Sequence, residues 1–287
     1  MNKVYLKNRF VLGSANFSQK YGVLSTKINL KEIKKILNLA KINNITKIDT
    51  AGSYLRDASF FKSIKKRFRL ITKIKADYRW ESLSFCEEEV NNQIKSFYNN
   101  KVQTLLFHDI EILFSNSGSK IFKNLETLKE KGYFQKIGVS IYDMNCLKYI
   151  ISKYNINVVQ CPYNVLDKRI VSSGWLNRLK KREIEVHIRS IFLQGLLINQ
   201  MIFKKKYFKK WRHKIFKWFE YLNKNKISPI NYCLNDLLDH DFDQIIIGIN
   251  NIDNLREILN FKLIKNKDRI IDFTTNEIKL IDPRYWK

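Results

Sequence analysis

The chain has 287 residues, 45% of them hydrophobic, which is enough to bury a large core and excludes a disordered chain. Its first 18 residues carry Lys3, Lys7 and Arg9 and hold no apolar run long enough for a signal peptide. No apolar stretch approaches the length that spans a bilayer. We therefore expect a soluble, cytoplasmic protein that is not inserted in a membrane.

The net charge is +26, from 53 basic and 27 acidic residues. Such an excess favours a polyanionic partner, for example nucleic acid, anionic lipid or a phosphorylated substrate. The chain is also rich in Lys, Asn and Ile and has only 9 Gly and 3 Pro, a composition that AT-rich codons produce without selection for charge. We favour this compositional explanation and keep the polyanionic partner as the alternative.

The cysteines are widely separated along the chain. No two of them form a Cys-x-x-Cys pair, and no His lies at ligand spacing from them. This pattern predicts free thiols in a reducing compartment, with no disulfide and no metal site. The four residues are Cys86, Cys146, Cys161 and Cys233.

Short apolar runs alternate with amphipathic segments along the whole chain, and no linker rich in Gly or Pro divides it. Strands that alternate with helices indicate right-handed βαβ units, and eight such units close into a barrel. The sequence therefore predicts an α/β protein, a single-domain (β/α)8 TIM barrel over residues 1–287. A doubly wound open sheet is the alternative, but the Gly-rich first turn that it needs for a dinucleotide is missing. The predicted strands are residues 11–15, 46–50, 69–73, 103–108, 136–140, 157–161, 185–190 and 244–248.

The segments between the strands have helical periodicity. Residues 30–43 place apolar side chains on one face, and Asn29 and Glu32 stand where a capping pair would lie. A second amphipathic stretch opens at Ser84-x-x-Glu87. Further helices are predicted at residues 118–132, at residues 143–154 and from about Asn251.

Residues 201–226 interleave basic and aromatic side chains. Such a mixture is found where proteins bind single-stranded nucleic acid or a membrane surface. The alternative is the outer helix of the seventh unit, whose apolar face would pack on the barrel. We favour the outer helix, because five residues share one helical face: Trp211, Ile215, Trp218, Phe219 and Leu222.

Four residues able to carry or tune a proton stand at the predicted ends of consecutive strands. Asp49 is at the end of the second strand, Tyr54 follows in the next loop, and Lys73 and His108 close the third and fourth strands. Active sites of (β/α)8 barrels lie at the carboxyl ends of the strands. Each residue alone has an ordinary structural explanation, but the four together predict one catalytic site.

The four residue types suit protonation of an alkoxide that forms during hydride attack on a carbonyl. A free phenol has a pKa of about 10, and a nearby ammonium favours its ionised form. We therefore expect Tyr54 to be the general acid, Lys73 to tune it and Asp49 to hold Lys73. His108 would bind and orient the substrate oxygen.

The motifs around these residues resemble those of the aldo-keto reductase family. The matching segments are Asp49-Thr-Ala-x-x-Tyr54, Thr72-Lys73 and Leu106-Phe107-His108-Asp109. The resemblance covers roughly residues 11–259. It implies a barrel enzyme that reduces an aldehyde or ketone with NAD(P)H.

Further segments resemble the cofactor-binding stretches of the same family. Gly138-Val139-Ser140 and the segment around Gln160 match those that hold the nicotinamide carboxamide. Residues 189–196 match the stretch that binds the pyrophosphate, and residues 247–251 match the adenosine end. The cofactor-binding residues that the resemblance implies are Gly13, Asp49, Ser140, Gln160, Arg189, Ser190, Gly195, Gly248, Asn251 and Asn254.

The sequence departs from the family pattern at several of these positions. Leu55 follows the tyrosine where Gly is usual, Ile141 replaces an Asn, and Arg189 stands where many relatives place an aromatic residue. Gly248 and Asn254 stand where relatives that prefer NADPH often carry Lys and Arg. NADPH is the cofactor that the resemblance implies, with NADH as the alternative.

Three other functions remain open from the sequence. The barrel could bind a cofactor as a regulatory or interaction subunit without turnover, it could be a lyase in which Lys73 forms a Schiff base, or it could bind nucleic acid. We expect a small-molecule carbonyl substrate, and a keto-sugar or sugar nucleotide would supply the negative charge that a basic rim suits. We expect no specific nucleic acid and a monomer or small homo-oligomer.

Overall fold

The computed structural model describes residues 3–18, 22, 28–54, 59–64, 67–264 and 271–286. Eight parallel strands pair in chain order, and the first also pairs with the last, so the sheet closes into a barrel. The predicted (β/α)8 barrel is therefore confirmed; its extent over the whole chain stays a prediction. The strands are β1 (Phe10–Gly13), β2 (Lys47–Asp49), β3 (Arg69–Ile74), β4 (Val102–Phe107), β5 (Lys136–Ser140), β6 (Val158–Pro162), β7 (Glu185–Arg189) and β8 (Gln244–Gly248).

Helices surround the barrel and cover its apolar outer face. Most of the buried apolar side chains form one large hydrophobic core. A second, separate cluster consists of Val11, Ile71, Leu106, Val158 and Ile246. The described helices are α1 (Lys3–Lys7), α2 (Ala15–Ser18), α3 (Leu30–Ile42), α4 (Ser59–Ile64), α5 (Leu83–Ser96), α6 (Gly118–Glu130), α7 (Leu147–Lys153), α8 (Arg169–Ser172), α9 (Trp175–Lys180), α10 (Arg212–Lys224), α11 (Pro229–Asp236), α12 (Ile252–Leu259) and α13 (Ile278–Ile281).

The helix caps agree with the sequence in part. The side chain of Asn29 caps α3 by accepting from the Glu32 N–H at 2.9 Å, as predicted. The Glu32 carboxylate does not complete the pair: its Oε1 accepts from the N–H of Ile252, at the start of α12, at 2.7 Å. Helix α5 starts at Leu83, ahead of the predicted Ser84, because the Ser82 hydroxyl accepts from the Phe85 N–H.

The segment of residues 201–226 forms two 3-10 turns followed by helix α10. Ile215, Trp218, Phe219 and Leu222 are buried, and the Trp218 indole donates to the Leu197 carbonyl at 2.9 Å. The outer helix predicted from the apolar periodicity is confirmed, with the basic side chains on its exposed face.

The cysteines are free thiols, three of them buried. Across the part of the chain that the structure covers, no group of His, Cys, Asp and Glu side chains is placed to hold a metal ion. Among the same residues, no helix is both long and apolar enough to cross a membrane.

Candidate active site

A cavity of about 410 Å³ opens at the carboxyl ends of the strands, and the four predicted catalytic residues line it together. This is the convergence that the strand-end positions predict. Most of the residues predicted to bind the cofactor also line it; Gln160 and Asn251 do not. Those that do are Gly13, Asp49, Ser140, Arg189, Ser190, Gly195, Gly248 and Asn254.

Asp49 and Lys73 form a buried ion pair at the floor of this cavity. The Lys73 Nζ lies 2.6 Å from Asp49 Oδ1, and the two side chains are 2% and 8% exposed. Lys73 also donates to the Thr50 carbonyl at 3.1 Å. Burial lowers the pKa of Lys73, and the adjacent Asp49 carboxylate opposes that shift. The pair therefore fixes a cation at one position beneath the cavity.

Gln160 lies behind Asp49 and is fully buried. Its Nε2 donates to Asp49 Oδ2 at 2.7 Å, so the carboxylate is bound on both oxygens, by Lys73 on one and by Gln160 on the other. The Oε1 of Gln160 has no hydrogen-bond partner among the described residues. The family resemblance predicts Gln160 as a cofactor-binding residue, whereas its hydrogen bond to Asp49 was not predicted.

Tyr54 and His108 face each other above the ion pair. Their rings meet edge to face with centroids 6.2 Å apart, and the Lys73 Nζ lies 5.8 Å from the centroid of the Tyr54 ring. Tyr54 ends a 3-10 turn, Gly52–Tyr54, that directly follows β2. Leu55, the residue after it that departs from the family pattern, is outside the described ranges.

His108 is held neutral by its surroundings. Burial and, to a smaller extent, the nearby cations Lys73, Lys75 and Arg189 lower the pKa of His108 to about 4, although Asp49 opposes them. Its backbone N–H donates to the Ile74 carbonyl at 2.8 Å, which fixes the end of β4 against β3. A neutral imidazole at the cavity can donate one hydrogen bond to a substrate oxygen.

Two arginines stack on Tyr142 at one side of the cavity, an arrangement that no sequence motif predicts. The Arg189 guanidinium lies 4.0 Å from the centroid of the Tyr142 ring, and that of Arg284 lies 3.8 Å from the same centroid. Arg189 also donates to the Ile141 carbonyl at 3.1 Å, and Asp282 binds Arg284 through both carboxylate oxygens. Of these, Arg189 and Tyr142 line the cavity.

The model of the aldo/keto reductase family matches residues 9–271 of the chain. This chain belongs to the aldo/keto reductase family. As a member, it is an NAD(P)H-dependent oxidoreductase that acts on carbonyl compounds. No curated protein sequence matches it significantly.

Solved structures of other aldo-keto reductases share the fold of this reductase. Aldo-keto reductase AKR11C1 from Bacillus halodurans, in its holo form, is 17% identical, with a TM-score of 0.71 over 92% of this chain and 90% of that one. The glycerol dehydrogenase AKR11B4 from Gluconobacter oxydans is 15% identical, with a TM-score of 0.69 over 96% and 92%. At these identities the likeness concerns the fold.

The far end of the cavity lies beside β1, β8 and the start of α12, where the adenosine half of the family's cofactor is expected. Ser14, Gly248, Asn250 and Asn254 line it. The Ser14 hydroxyl is buried and has no hydrogen-bond partner among the described residues. A Cβ on Gly248 would meet nothing within 4 Å, so this part of the wall is open.

These features fit a nicotinamide dinucleotide in this aldo/keto reductase. Four buried side-chain atoms lack partners within the described ranges, on Ser14, Thr50, Gln160 and His187. Of these residues Ser14 lines the cavity, and a buried polar atom of this kind is rare without a ligand or water to satisfy it. The backbone from Ser190 to Gly195 has positive φ at Ser190 (62°), Leu193 (45°), Gln194 (51°) and Gly195 (94°), and most of this segment lines the cavity.

Proposed function

We propose that this reductase converts the carbonyl of a small-molecule aldehyde or ketone to an alcohol, with Tyr54 as the general acid. One observation carries the proposal: the buried Asp49–Lys73 pair lies beneath the Tyr54 ring, with His108 edge-on to it, in a single cavity. A phenol, an ammonium and a neutral imidazole in this arrangement can bind and protonate an oxygen that becomes negative.

Each residue has a separate part in the reaction. The reduced nicotinamide supplies the hydride when it is bound. Tyr54 gives its proton to the carbonyl oxygen, and the fixed Lys73 cation stabilises the phenolate that remains. Asp49 holds Lys73 charged in its buried position. Neutral His108 donates a hydrogen bond that orients the carbonyl oxygen.

Several residues would hold the cofactor. Ser140, which lines the cavity beside the buried Gln160 of the next strand, suits the carboxamide. The turn from Ser190 to Gly195 suits the pyrophosphate. Gly248 and Asn254, which line the cavity, would lie at the adenosine end, with Asn251 capping the helix between them. NADPH, which the family resemblance implies, stays a prediction.

An anionic carbonyl compound is the substrate class that the charges favour. Arg189 lines the cavity, and Lys75 lines an adjacent pocket that shares Lys73 and His108 with it. A carboxylate or phosphate on the substrate would meet these cations beside the reacting carbon. A keto-sugar phosphate or a sugar nucleotide has both the carbonyl and the charge.

The test is a reduction assay with purified protein, run separately with NADH and NADPH. The substrates are a reactive model aldehyde and matched pairs of neutral and phosphorylated sugars, with the loss of nicotinamide absorbance as the signal. We expect turnover of the model aldehyde and higher kcat/KM for the phosphorylated member of each pair. A protein that binds cofactor but reduces nothing would contradict the proposal and support a regulatory barrel.

A further inference from the structure

Gln93 is a polar residue on the face of helix α5 that packs on the barrel. It shares this face with Cys86 and Val90, which are buried, and is itself half-buried. Its side chain reaches the carboxyl end of β3, where Nε2 donates to the Thr72 hydroxyl oxygen at 3.1 Å and to the Lys73 carbonyl at 3.0 Å. Because a carbonyl can only accept, the second bond fixes which end of the amide faces the strand. The backbone that carries the catalytic cation is therefore bound from α5.

The Lys73 carbonyl takes its hydrogen bond from Gln93 because β2 is too short to supply one. That strand ends before Thr50, whose N–H donates to the Ile71 carbonyl at 2.8 Å. Carbonyls two residues apart in a strand face the same neighbour, so the Lys73 carbonyl faces the place where the chain has already turned into Gly52–Tyr54. The Gln93 amide thus replaces the backbone donor that a longer β2 would provide.

The same amide packs against the turn that carries the phenol. A Cβ added at Gly52 would stand 3.0 Å from the Gln93 Nε2 and 3.7 Å from its Cδ, so the bare backbone of the turn lies against the amide. The Tyr54 N–H closes this turn by donating to the Ala51 carbonyl at 3.0 Å. One side chain of α5 therefore contacts both the strand that holds the cation and the turn that holds the phenol.

We infer that Gln93 is a positioning residue for Tyr54 and Lys73, an inference that rests on the proposed function. Gln93 lines the adjacent pocket rather than the cavity itself, so it acts through these two residues. It sets the relative position of the strand and the turn that carry them. Transfer of a proton depends steeply on the distance between the donor and the carbonyl oxygen, so a small shift of either element lowers turnover.

The test is steady-state reduction of a reactive model aldehyde by wild type and Gln93→Met, at a temperature at which both stay folded. Methionine keeps the size of the side chain and removes both donated hydrogen bonds. We expect kcat to fall about five- to tenfold, the effect of losing a hydrogen bond of ordinary strength. The KM for the aldehyde and the dissociation constant of the cofactor should stay unchanged.

The matched control is Asn235→Leu in α11. The Asn235 amide also joins a helix to a backbone carbonyl, that of Lys262 at 2.8 Å, but it does so away from the cavity. This variant should be less stable than wild type and keep its kcat, which separates positioning from the general anchoring of a helix.

Gly52→Ala tests the contact with the turn. The new Cβ would displace the Gln93 amide by a few tenths of an ångström, so kcat should fall, though less than in Gln93→Met. In Gln93→Ala the amide is gone, and adding Gly52→Ala should lower kcat no further. Additive losses in this double variant would overturn the inference, because the two residues would then act separately.

Unchanged kcat in Gln93→Met would also overturn the inference, and so would equal losses of kcat and of cofactor affinity. Hydrogen exchange of the Tyr54 N–H gives a readout that needs no turnover. It should be faster in Gln93→Met than in wild type and unchanged in Asn235→Leu; equal exchange in all three proteins would contradict the inference. An inactive wild type that shows the expected exchange pattern would contradict the proposed function alone.

Discussion

At the scale of single residues, the lowered pKa of His108 predicts how the stability of the protein changes with pH. Its pKa is lowered to about 4, so between that value and the ordinary value of about 6.5 the unfolded chain binds a proton that the folded one does not. The free energy of unfolding should therefore fall as the pH falls through this window. His108→Gln should lose less stability than wild type over the same range.

The measurement is urea unfolding of both proteins at several pH values from 7 to 4. The difference between them isolates His108, because the other titrating groups are common to both. An imidazole signal of His108 that titrates near 6.5 in NMR spectra of the folded protein would contradict the prediction.

The meeting of Asp49, Tyr54, Lys73 and His108 in one cavity could be predicted from the sequence, because strand ends converge in a closed parallel barrel. The contacts that support it could not. Gln160 and Asp49 are 111 residues apart, and whether Gln160 faces a carboxylate or the open cavity depends on side-chain orientation. The same holds for Arg284, which reaches Tyr142 from the far end of the chain.

At the scale of secondary-structure elements, Gly138 shows why part of a cofactor motif has a packing role. It lies in β5, and a Cβ added there would stand 2.1 Å from the Val158 carbonyl oxygen in β6. Backbone cannot move aside as a flexible side chain can. Gly138→Ala should therefore lower the free energy of unfolding by about 3 kcal/mol, the upper end of the usual cost of overpacking.

Gly248→Ala, in β8, is the matched control, because a Cβ there meets nothing within 4 Å. Its stability should stay within about 0.5 kcal/mol of wild type. Denaturant unfolding of the two variants and wild type measures both values. Equal stability of the two variants would show that β5 and β6 can separate at little cost.

Periodicity and strand spacing predicted the strands and the outer helix α10, because burial of an apolar face repeats at a fixed interval. Contacts between elements that are far apart in the sequence could not be predicted in this way. The sequence placed Glu32 in a local capping pair, whereas its carboxylate caps a helix that starts 220 residues later. A local rule cannot identify such a partner.

At the scale of the whole molecule, the positive charge is unevenly distributed. Residues 201–226 contain ten Lys or Arg and a single acidic residue, Glu220, and the apolar side of α10 is buried. Any affinity for nucleic acid should thus come mainly from phosphate contacts, and it should be non-specific and fall steeply with salt.

Fluorescence anisotropy with single-stranded oligonucleotides of unrelated sequence, at low and physiological salt, measures this affinity. Replacing Lys206, Lys209 and Lys210 by Gln should weaken it and reduce its salt dependence. Binding that distinguishes between sequences and survives physiological salt would contradict the compositional explanation of the charge.

The most direct test of the reductase mechanism is the reduction of a reactive model aldehyde by wild type and Tyr54→Phe, with cofactor affinity measured alongside. The substitution removes the phenolic proton and keeps the ring, so cofactor should bind as before while turnover falls by about 10²–10⁴-fold, the usual contribution of a general acid. Lys73→Met should give a comparable loss, and the double variant should be little worse than either single one, because the residues act as a unit. Full activity in Tyr54→Phe would contradict the mechanism.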